Sequence, residues 1–227
     1  MPGELTNLGD SAVEAWNARD RELEAVLEAD ATMLERVEAA VSASKLFPQM
    51  AAALHEVLLQ YEHGAIALLM QLSALAADAG RRIVEAVCFT AFLKHNPLKI
   101  DGKLGGFADW QSGGALFSFL GPLKTYFDAP SRAKAAVGPF GKPFIEALYR
   151  ELSRSVHGNP VSWGESREGL KVKVEAPTSE IRQRQLMSAA KVAMYVTLIE
   201  LPDLWIADVA SFFGSDWKSV QAALELP

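Results

Sequence analysis

The chain has 227 residues, of which 50% are hydrophobic and 22% are charged, and its formal net charge is −6. This apolar content is enough for a substantial core, and the length fits one large domain or a domain with an added part. The single cysteine, Cys88, excludes an intrachain disulfide and indicates a reducing compartment. The acidic N-terminus lacks the features of a signal peptide, and the longest apolar stretch, residues 65–77, is too short to span a bilayer. We therefore expect a soluble, cytoplasmic protein without membrane attachment.

The first half of the chain carries three patterns of apolar residues with helical spacing. The third pattern ends before Pro97, because proline disfavours a helical conformation in the residue that precedes it. These patterns predict an all-α fold. The predicted ranges are Ala12–Ser42 with Asp10 and Ser11 as candidate N-caps, Pro48–Ala79 with Gly64 as its weak point, and Arg81–His95.

Residues 97–143 form a segment rich in glycine and aromatic residues. Short helices separated by tight turns are predicted near Phe107–Gln111, Ala115–Leu120 and Ser131–Ala136. The nearest approach to a phosphate-binding loop, Gly138–Pro143, has the wrong spacing and lacks the required hydroxyl. We therefore expect a loop segment that packs over the helices rather than a nucleotide site.

The remainder of the chain is again predicted to be mainly helical. A helix over Pro143–His157 is followed by two short alternating runs, which predict a β-hairpin within residues 161–175 that leans on the helices. Thr178 begins a further helix whose predicted inward-facing residues include Ile181 and Leu186. A last helical pair is predicted after Pro202.

Arg150 and His157 lie on the same side of the helix predicted over Pro143–His157. Their positions differ by seven, which is about 700° at roughly 100° per residue, so they lie about 20° and two turns apart. Gly158 and Pro160 end the helix just beyond the histidine. The pattern places an arginine and a histidine together, well away from the apolar stripe of Leu148, Leu152 and Val156, which Ile145 and Tyr149 join.

Both residues also have purely structural interpretations. Arg150 lies one turn after Glu146 and can form an i, i+4 ion pair with it. His157, at the C-terminus of a helix, can interact with the last carbonyls and with the helix dipole. The alternative interpretation is that Arg150 and His157 form a functional site. Polar residues of the same region are then candidates for binding RNA or phosphate, namely Ser153, Arg154 and Asn159.

Charge is distributed unevenly along the chain. Residues 1–45 have 4 Lys or Arg against 10 Asp or Glu, whereas residues 132–191 have 11 against 6. A basic face that binds RNA and a merely solvated helical surface are both compatible with this distribution. The four histidines lack the spacing of metal ligands, so no metal site is predicted.

The run Tyr149-Arg-Glu-Leu-Ser-Arg-Ser-Val-His-Gly158 resembles the R-x4–6-H motif of bacterial HEPN (higher eukaryote and prokaryote nucleotide-binding) domains, with Arg150 and His157 in the motif positions. Arg81 and Glu85, one turn apart, are similar to the Arg-x-x-x-Glu that begins an earlier helix in such proteins. The resemblance implies a HEPN-like helical bundle over residues 46–200, which includes the hairpin. An acidic N-terminal helix in residues 1–45 and a helical tail in residues 201–227 complete this organisation.

The activity implied by the resemblance is that of a metal-independent endoribonuclease of toxin or phage-defence type, with Arg150 and His157 as catalytic residues and no cofactor. HEPN nucleases pair two motif helices across a dimer, which implies a homodimer and, for a toxin, an antitoxin partner. Imidazole suits proton transfer near neutral pH, and guanidinium suits the charge of a phosphorane-like transition state. Two other classes stay open: a non-catalytic module that binds RNA, a nucleotide or a partner protein, and a purely structural helical protein.

Overall fold

The structure is a computed structural model, and it describes residues 10, 11, 13, 14, 16–100, 103–105, 119–156, 178–204, 206 and 208–226. Over these residues the chain is built mainly of helices, as predicted. The helices are α1 Arg21–Ser44, α2 Pro48–Leu69, α3 Ser73–His95, α4 Leu120–Phe127, α5 Lys142–Val156, α6 Ser179–Glu200, α7 Val209–Phe213 and α8 Trp217–Leu224. The shorter elements are the strands β1 Leu98–Ile100 and β2 Lys103–Gly105 and the 3-10 turns Pro130–Arg132, Ala135–Val137 and Gly214–Asp216.

Helix α1 begins later than the sequence predicts. Asp20 caps it, because a carboxylate oxygen accepts hydrogen bonds from the backbone N–H groups of Glu22 at 2.9 Å and Leu23 at 3.1 Å. The helical pattern expected from Ala12 onward is interrupted over residues 18–20. At the other end Lys45 adopts a left-handed conformation, with a φ of 54°, and ends the helix.

A sharp turn divides the second predicted helix into α2 and α3. Gln71 has a φ of 59°, and α3 begins at Ser73 rather than at Arg81. The expectation of one helix over Pro48–Ala79 is therefore wrong. Its failure has a simple cause, since the turn contains no glycine or proline to signal it in the sequence.

Helix α3 is the central helix of the bundle and packs against α2, α4, α5 and α6. Gly64 of α2 is a contact point rather than a weak point, since a Cβ built there lies 2.7 Å from Cδ1 of Leu186 on α6. Helix α1 packs on α2, and a single cluster of buried hydrophobic residues extends from Leu27 to Leu226. Helices α1, α7 and α8 therefore share one core with the middle of the chain.

The inward face of α6 follows its predicted pattern with one exception. Thr178 caps the helix as predicted, since its hydroxyl accepts a hydrogen bond from the backbone N–H of Ile181 at 3.3 Å. Leu186 is fully buried as predicted, but Ile181 is 45% exposed, so its expected inward orientation is wrong. Arg182 takes the inward position instead, because it lies one turn before Leu186.

The connections between the long helices differ in detail from the prediction. Helix α4 begins at Leu120, which is the last residue of the helix predicted near Ala115–Leu120, and it extends to Phe127. The predicted helix over Ser131–Ala136 is instead a pair of 3-10 turns. Strands β1 and β2 pair antiparallel, with Lys99 opposite Leu104, although no hairpin was predicted there. The predicted helix near Phe107–Gln111, most of the one near Ala115–Leu120 and the predicted hairpin over residues 161–175 lie outside the described residues. Within the described ranges, every helix is too short or too polar to cross a membrane.

Candidate functional site

Helix α5 carries the predicted site and is fixed on the bundle by its apolar face. Ile145 and Leu152 are fully buried, Leu148 is 8% exposed and Tyr149 is partly buried, so the predicted stripe is confirmed at these four residues. The side chain of Val156, its fifth member, is not described. Leu152 contacts α3, where a Cβ built at Gly80 lies 3.3 Å from Leu152 Cδ2. The opposite face of α5 therefore has a defined orientation toward solvent.

Arg150 and Arg154 lie one turn apart on this outer face of α5. The Arg150 side chain is 63% exposed, and its Nη2 lies 4.0 Å from Oε2 of Glu146, so the expected i, i+4 ion pair is confirmed as a long contact. The Arg154 side chain is 59% exposed, and its Nη1 lies 2.6 Å from Oε1 of Glu151. Exposed pairs of this kind contribute little stability, so both guanidinium groups remain available to an anionic ligand.

The other predicted site residues are placed less favourably or are not described. Ser153 lies on α5, but its hydroxyl oxygen is enclosed and has no hydrogen-bond partner among the described residues. The hydroxyl is therefore turned away from solvent, and the two arginines are the exposed members of the predicted set. His157 and Asn159 lie outside the described residues.

A polar cluster joins α3 to α5 beside Arg150. The carboxylate of Glu85 accepts hydrogen bonds from the Tyr149 hydroxyl at 2.7 Å and from Nε of Arg81 at 3.1 Å, so the pairing expected of Arg81 and Glu85 is confirmed. Burial and the hydrogen bond to Glu85 raise the pKa of Tyr149. The Tyr149 ring also stacks on Phe119, with centroids 4.1 Å apart. This cluster fixes the backbone of α5 at the residue before Arg150.

Arg182 is a further residue of this region that the sequence interpretation missed. It lies in the first turns of α6, is 1% exposed, and donates a hydrogen bond to the hydroxyl of Ser155 near the end of α5. Its Nη1 donates to Oε1 of Gln185 at 3.0 Å. The signal was present in the sequence, because Arg182 continues the spacing of the apolar residues that begin at Leu186.

A second buried polar cluster lies at the C-terminal ends of α3 and α6. Glu200 has a side chain 3% exposed, with an oxygen 2.6 Å from the Tyr126 hydroxyl and another 2.8 Å from Nε2 of His95 and 3.0 Å from Nζ of Lys94. Burial by itself would raise the pKa of Glu200, but the hydrogen bonds from these three groups outweigh burial and lower it. The cluster consists of a carboxylate held by three donors, which is an arrangement suited to joining helices.

No metal site accompanies either cluster: the described part of the chain contains no group of three or more His, Cys, Asp or Glu side chains placed to hold an ion. Comparison of the chain with family models, with curated proteins and with solved structures found no match. Function is therefore inferred from the chemistry of the outer face of α5.

Proposed function

We propose that this protein is a HEPN-like, metal-independent endoribonuclease of toxin or phage-defence type that acts through Arg150 and His157. The observation that carries the proposal is the placement of Arg150 and Arg154 one turn apart on the exposed face of a helix whose other face is fixed in the core. A rigid support gives two guanidinium groups a defined position from which to bind phosphate through paired donors.

The proposed reaction is the transesterification of RNA. The imidazole of His157 accepts the proton of a ribose 2′-hydroxyl, and the 2′-oxygen attacks the adjacent phosphorus as the bond from phosphorus to the 5′-oxygen breaks. A second imidazole, from the other copy in a homodimer, returns a proton to the 5′-oxygen. The products are a 2′,3′-cyclic phosphate and a free 5′-hydroxyl, and Arg150 stabilises the added negative charge on the phosphoryl oxygens as the bonds change.

The test is cleavage of mixed RNA by purified protein in the presence of EDTA. His157→Ala and Arg150→Ala are each expected to lower the rate by at least about 100-fold, which is the usual contribution of acid–base and charge-stabilising groups. Arg21→Ala is the matched control, because Arg21 is also an exposed arginine on a helix and pairs with Glu24 at 2.7 Å. A substrate with 2′-deoxyribose at the cleaved position should bind and stay intact. Equal activity in the wild type and His157→Ala would contradict the proposal.

A second candidate is a non-catalytic module that binds RNA, a nucleotide or a partner protein. The carboxylates of Glu146 and Glu151 lie beside Arg150 and Arg154 and reduce the positive field that any phosphate requires, so they favour the partner-protein form of this candidate over catalysis. Filter binding separates the two candidates, since RNA affinity without metal-free cleavage in the wild type selects the binding module. In both cases Arg154→Ala should weaken RNA binding and reduce its dependence on salt concentration.

A further inference from the structure

A cavity of about 200 Å³ lies where the C-terminal end of α6 meets α8 and the two 3-10 turns that precede α5. Its apolar wall is formed mainly by Leu198, Ile199 and Leu224. Lys134 and Glu225 line the same space, so it combines an aliphatic wall with two opposite charges. An aliphatic cavity of about 150 Å³ admits benzene, so this cavity is large enough for one aliphatic side chain.

The two charged residues of this cavity form an ion pair that is exposed to solvent. The Lys134 side chain is 74% exposed, that of Glu225 is 69% exposed, and Nζ of Lys134 contacts Oε1 of Glu225. Both residues also line an adjoining cavity of about 680 Å³, so the pair lies between two open spaces. An exposed ion pair contributes little to stability. A ligand that carries both charges can therefore replace each partner of the pair at small cost.

The backbone at Glu225 does not favour a side chain. Glu225 is the C-cap of α8 and has a φ of 55°, in the left-handed region that glycine adopts most readily. The N–H of Leu226 donates to the carbonyl of Gln221 at 3.1 Å, which is a hydrogen bond typical of helices that end with glycine. Neither the helix end nor the exposed ion pair explains a carboxylate at this position, whereas recognition of a positively charged ligand group does.

We propose that this cavity binds a free α-amino acid with an aliphatic side chain, of which leucine is the test case. The ligand carboxylate accepts hydrogen bonds from Nζ of Lys134, the ligand ammonium donates to Glu225, and the side chain enters the space beside Ile199 and Leu224. Because the charged groups of Lys134 and Glu225 contact each other, a ligand must carry its own two charges close together to reach both. A free amino acid does so, whereas the end of a peptide has only one charge. The site is independent of the proposed function, since none of its lining residues lies on α5.

The first test uses the wild-type protein with L-leucine and three analogues that each lack one feature. Leucinamide lacks the carboxylate, N-acetylleucine lacks the ammonium group and glycine lacks the side chain. Calorimetric titration should give a Kd for leucine of about 1 mM or lower, a range that a ligand of this size can reach. Each analogue should bind at least about tenfold more weakly, because it loses a charge-assisted hydrogen bond or the apolar contact. Absence of leucine binding at about 10 mM, or equal affinity for any of the three analogues, would overturn the proposal.

The second test removes the charges of the pair one at a time. Lys134→Met and Glu225→Gln should each weaken leucine binding at least about tenfold. Arg184→Met and Glu180→Gln are the matched controls, because Arg184 and Glu180 form an ion pair on α6 with side chains 75% and 67% exposed and do not line the cavity. These controls should bind leucine as the wild type does. A similar affinity in all four variants would contradict the assignment of the two charges.

Two further variants separate recognition from stability. Glu225→Gly relieves the left-handed backbone, so it should keep the wild-type melting temperature or exceed it while it weakens leucine binding at least about tenfold. Ile199→Ala enlarges the apolar part of the cavity and should raise the affinity for phenylalanine relative to that for leucine. Full leucine affinity in Glu225→Gly, or an unchanged ratio of the two affinities in Ile199→Ala, would overturn the proposed site.

Discussion

Leu152 and Arg150 lie on different faces of α5, so their truncation should have different consequences. Leu152 is fully buried, and Leu152→Ala should lower the free energy of unfolding by about 2–5 kcal/mol through the cavity that it leaves. Arg150→Ala should change it by less than about 0.5 kcal/mol, because Arg150 is 63% exposed and its ion pair with Glu146 is long. His157→Ala is expected to resemble Arg150→Ala. Urea denaturation followed by circular dichroism measures the difference, and equal losses would mean that α5 is rotated about its axis.

Glu200 should make part of the stability depend on acid pH. Three hydrogen bonds, which outweigh the opposing effect of burial, hold the pKa of Glu200 below its ordinary value of 4.5. The ionised form is therefore favoured by folding, and this stability is present above pH 4.5 and is lost as pH falls through the folded-state pKa. Glu200→Gln should cost about 1–3 kcal/mol at neutral pH, and the difference from wild type should shrink as pH is lowered below 4.5. Melts between neutral pH and pH 3 test this; a constant difference would contradict it.

The pKa of Asp30 is shifted in the opposite direction to that of Glu200, so its effect on stability has the opposite dependence on pH. Burial raises the pKa of Asp30, against the effects of its hydrogen bond with Tyr61 and the charge of Lys191. Its protonated form is therefore favoured by folding, so its contribution is present at low pH and is lost as pH rises through the raised pKa. Asp30→Asn should gain stability relative to wild type as pH rises from about 4 toward neutral. The same melts measure this, and matching pH profiles for Asp30→Asn and Glu200→Gln would contradict both assignments.

The helical wheel of the sequence predicted part of the candidate site and could not predict the rest. Arg150 and Arg154 are exposed as the spacing requires, because an angle about a helix axis depends only on sequence separation. The enclosure of the Ser153 hydroxyl depends on what packs around it in three dimensions, which the wheel of one helix does not contain. Arg182 is in phase with the buried Leu186, but the wheel does not predict its burial, because charged residues are seldom fully buried unless they are paired.

Gly141, which precedes α5, lies so close to neighbouring backbone atoms that it leaves no room for a side chain. A Cβ built at Gly141 lies 2.4 Å from the carbonyl oxygen of Ala135 and 2.6 Å from that of Ala136, and neither atom can move without the turn Ala135–Val137. Gly141→Ala should therefore destabilise the protein by about 1–3 kcal/mol. Gly121→Ala is the control, because nothing lies within 4 Å of a Cβ at that helical position and alanine should add up to about 1 kcal/mol. Thermal melts with the same sign for both variants would contradict this account.

The sequence predicts the presence of a helix more reliably than the residues at which that helix begins and ends. Thr178 and Asp20 both cap helices through their side chains, but only Thr178 was selected, because a helical pattern also continues on the N-terminal side of Asp20. The turn at Gln71 depends on a left-handed residue that is neither glycine nor asparagine, and sequence patterns seldom reveal such a residue. The turn at Gln71 allows α2 and α3 to pack against each other, and a single segment of sequence does not record such a contact.

The charge of the whole chain restricts where an RNA can bind. Residues 1–45, which include α1, have 10 acidic against 4 basic residues, whereas residues 132–191 have 11 basic against 6 acidic ones. If the protein binds RNA as proposed, we expect the contact near the second region, which contains α5, because negative phosphates are repelled by the first region and attracted by the second. The uneven charge also bears on self-association, because a face of mixed charge lets two copies with a net charge of −6 meet without a contact between like charges alone.

The outer face of α5 has such mixed charge, and we expect a homodimer to form through it. In an antiparallel two-fold contact centred near Arg150, the two Arg150 side chains meet, and Glu146 of each copy lies opposite Arg154 of the other and offsets that repulsion. Arg154→Glu should therefore weaken dimerisation, and the double change Glu146→Arg with Arg154→Glu should restore it by exchanging the two charges. Sedimentation at several salt concentrations measures the affinity, which should fall as salt rises.

Leu75→Glu is the control for this dimer. Leu75 is 59% exposed and lines, with Ile66 and Leu72, an apolar groove between α2 and α3, which is the rival face for self-association. Leu75→Glu should leave the dimer unchanged if the α5 face is the interface, because the new charge then lies away from the contact. A monomeric wild type at micromolar concentration would contradict the dimer. A dimer that is lost in Leu75→Glu but kept in Arg154→Glu would show that the interface is the groove, and the two Arg150 residues would then lie apart.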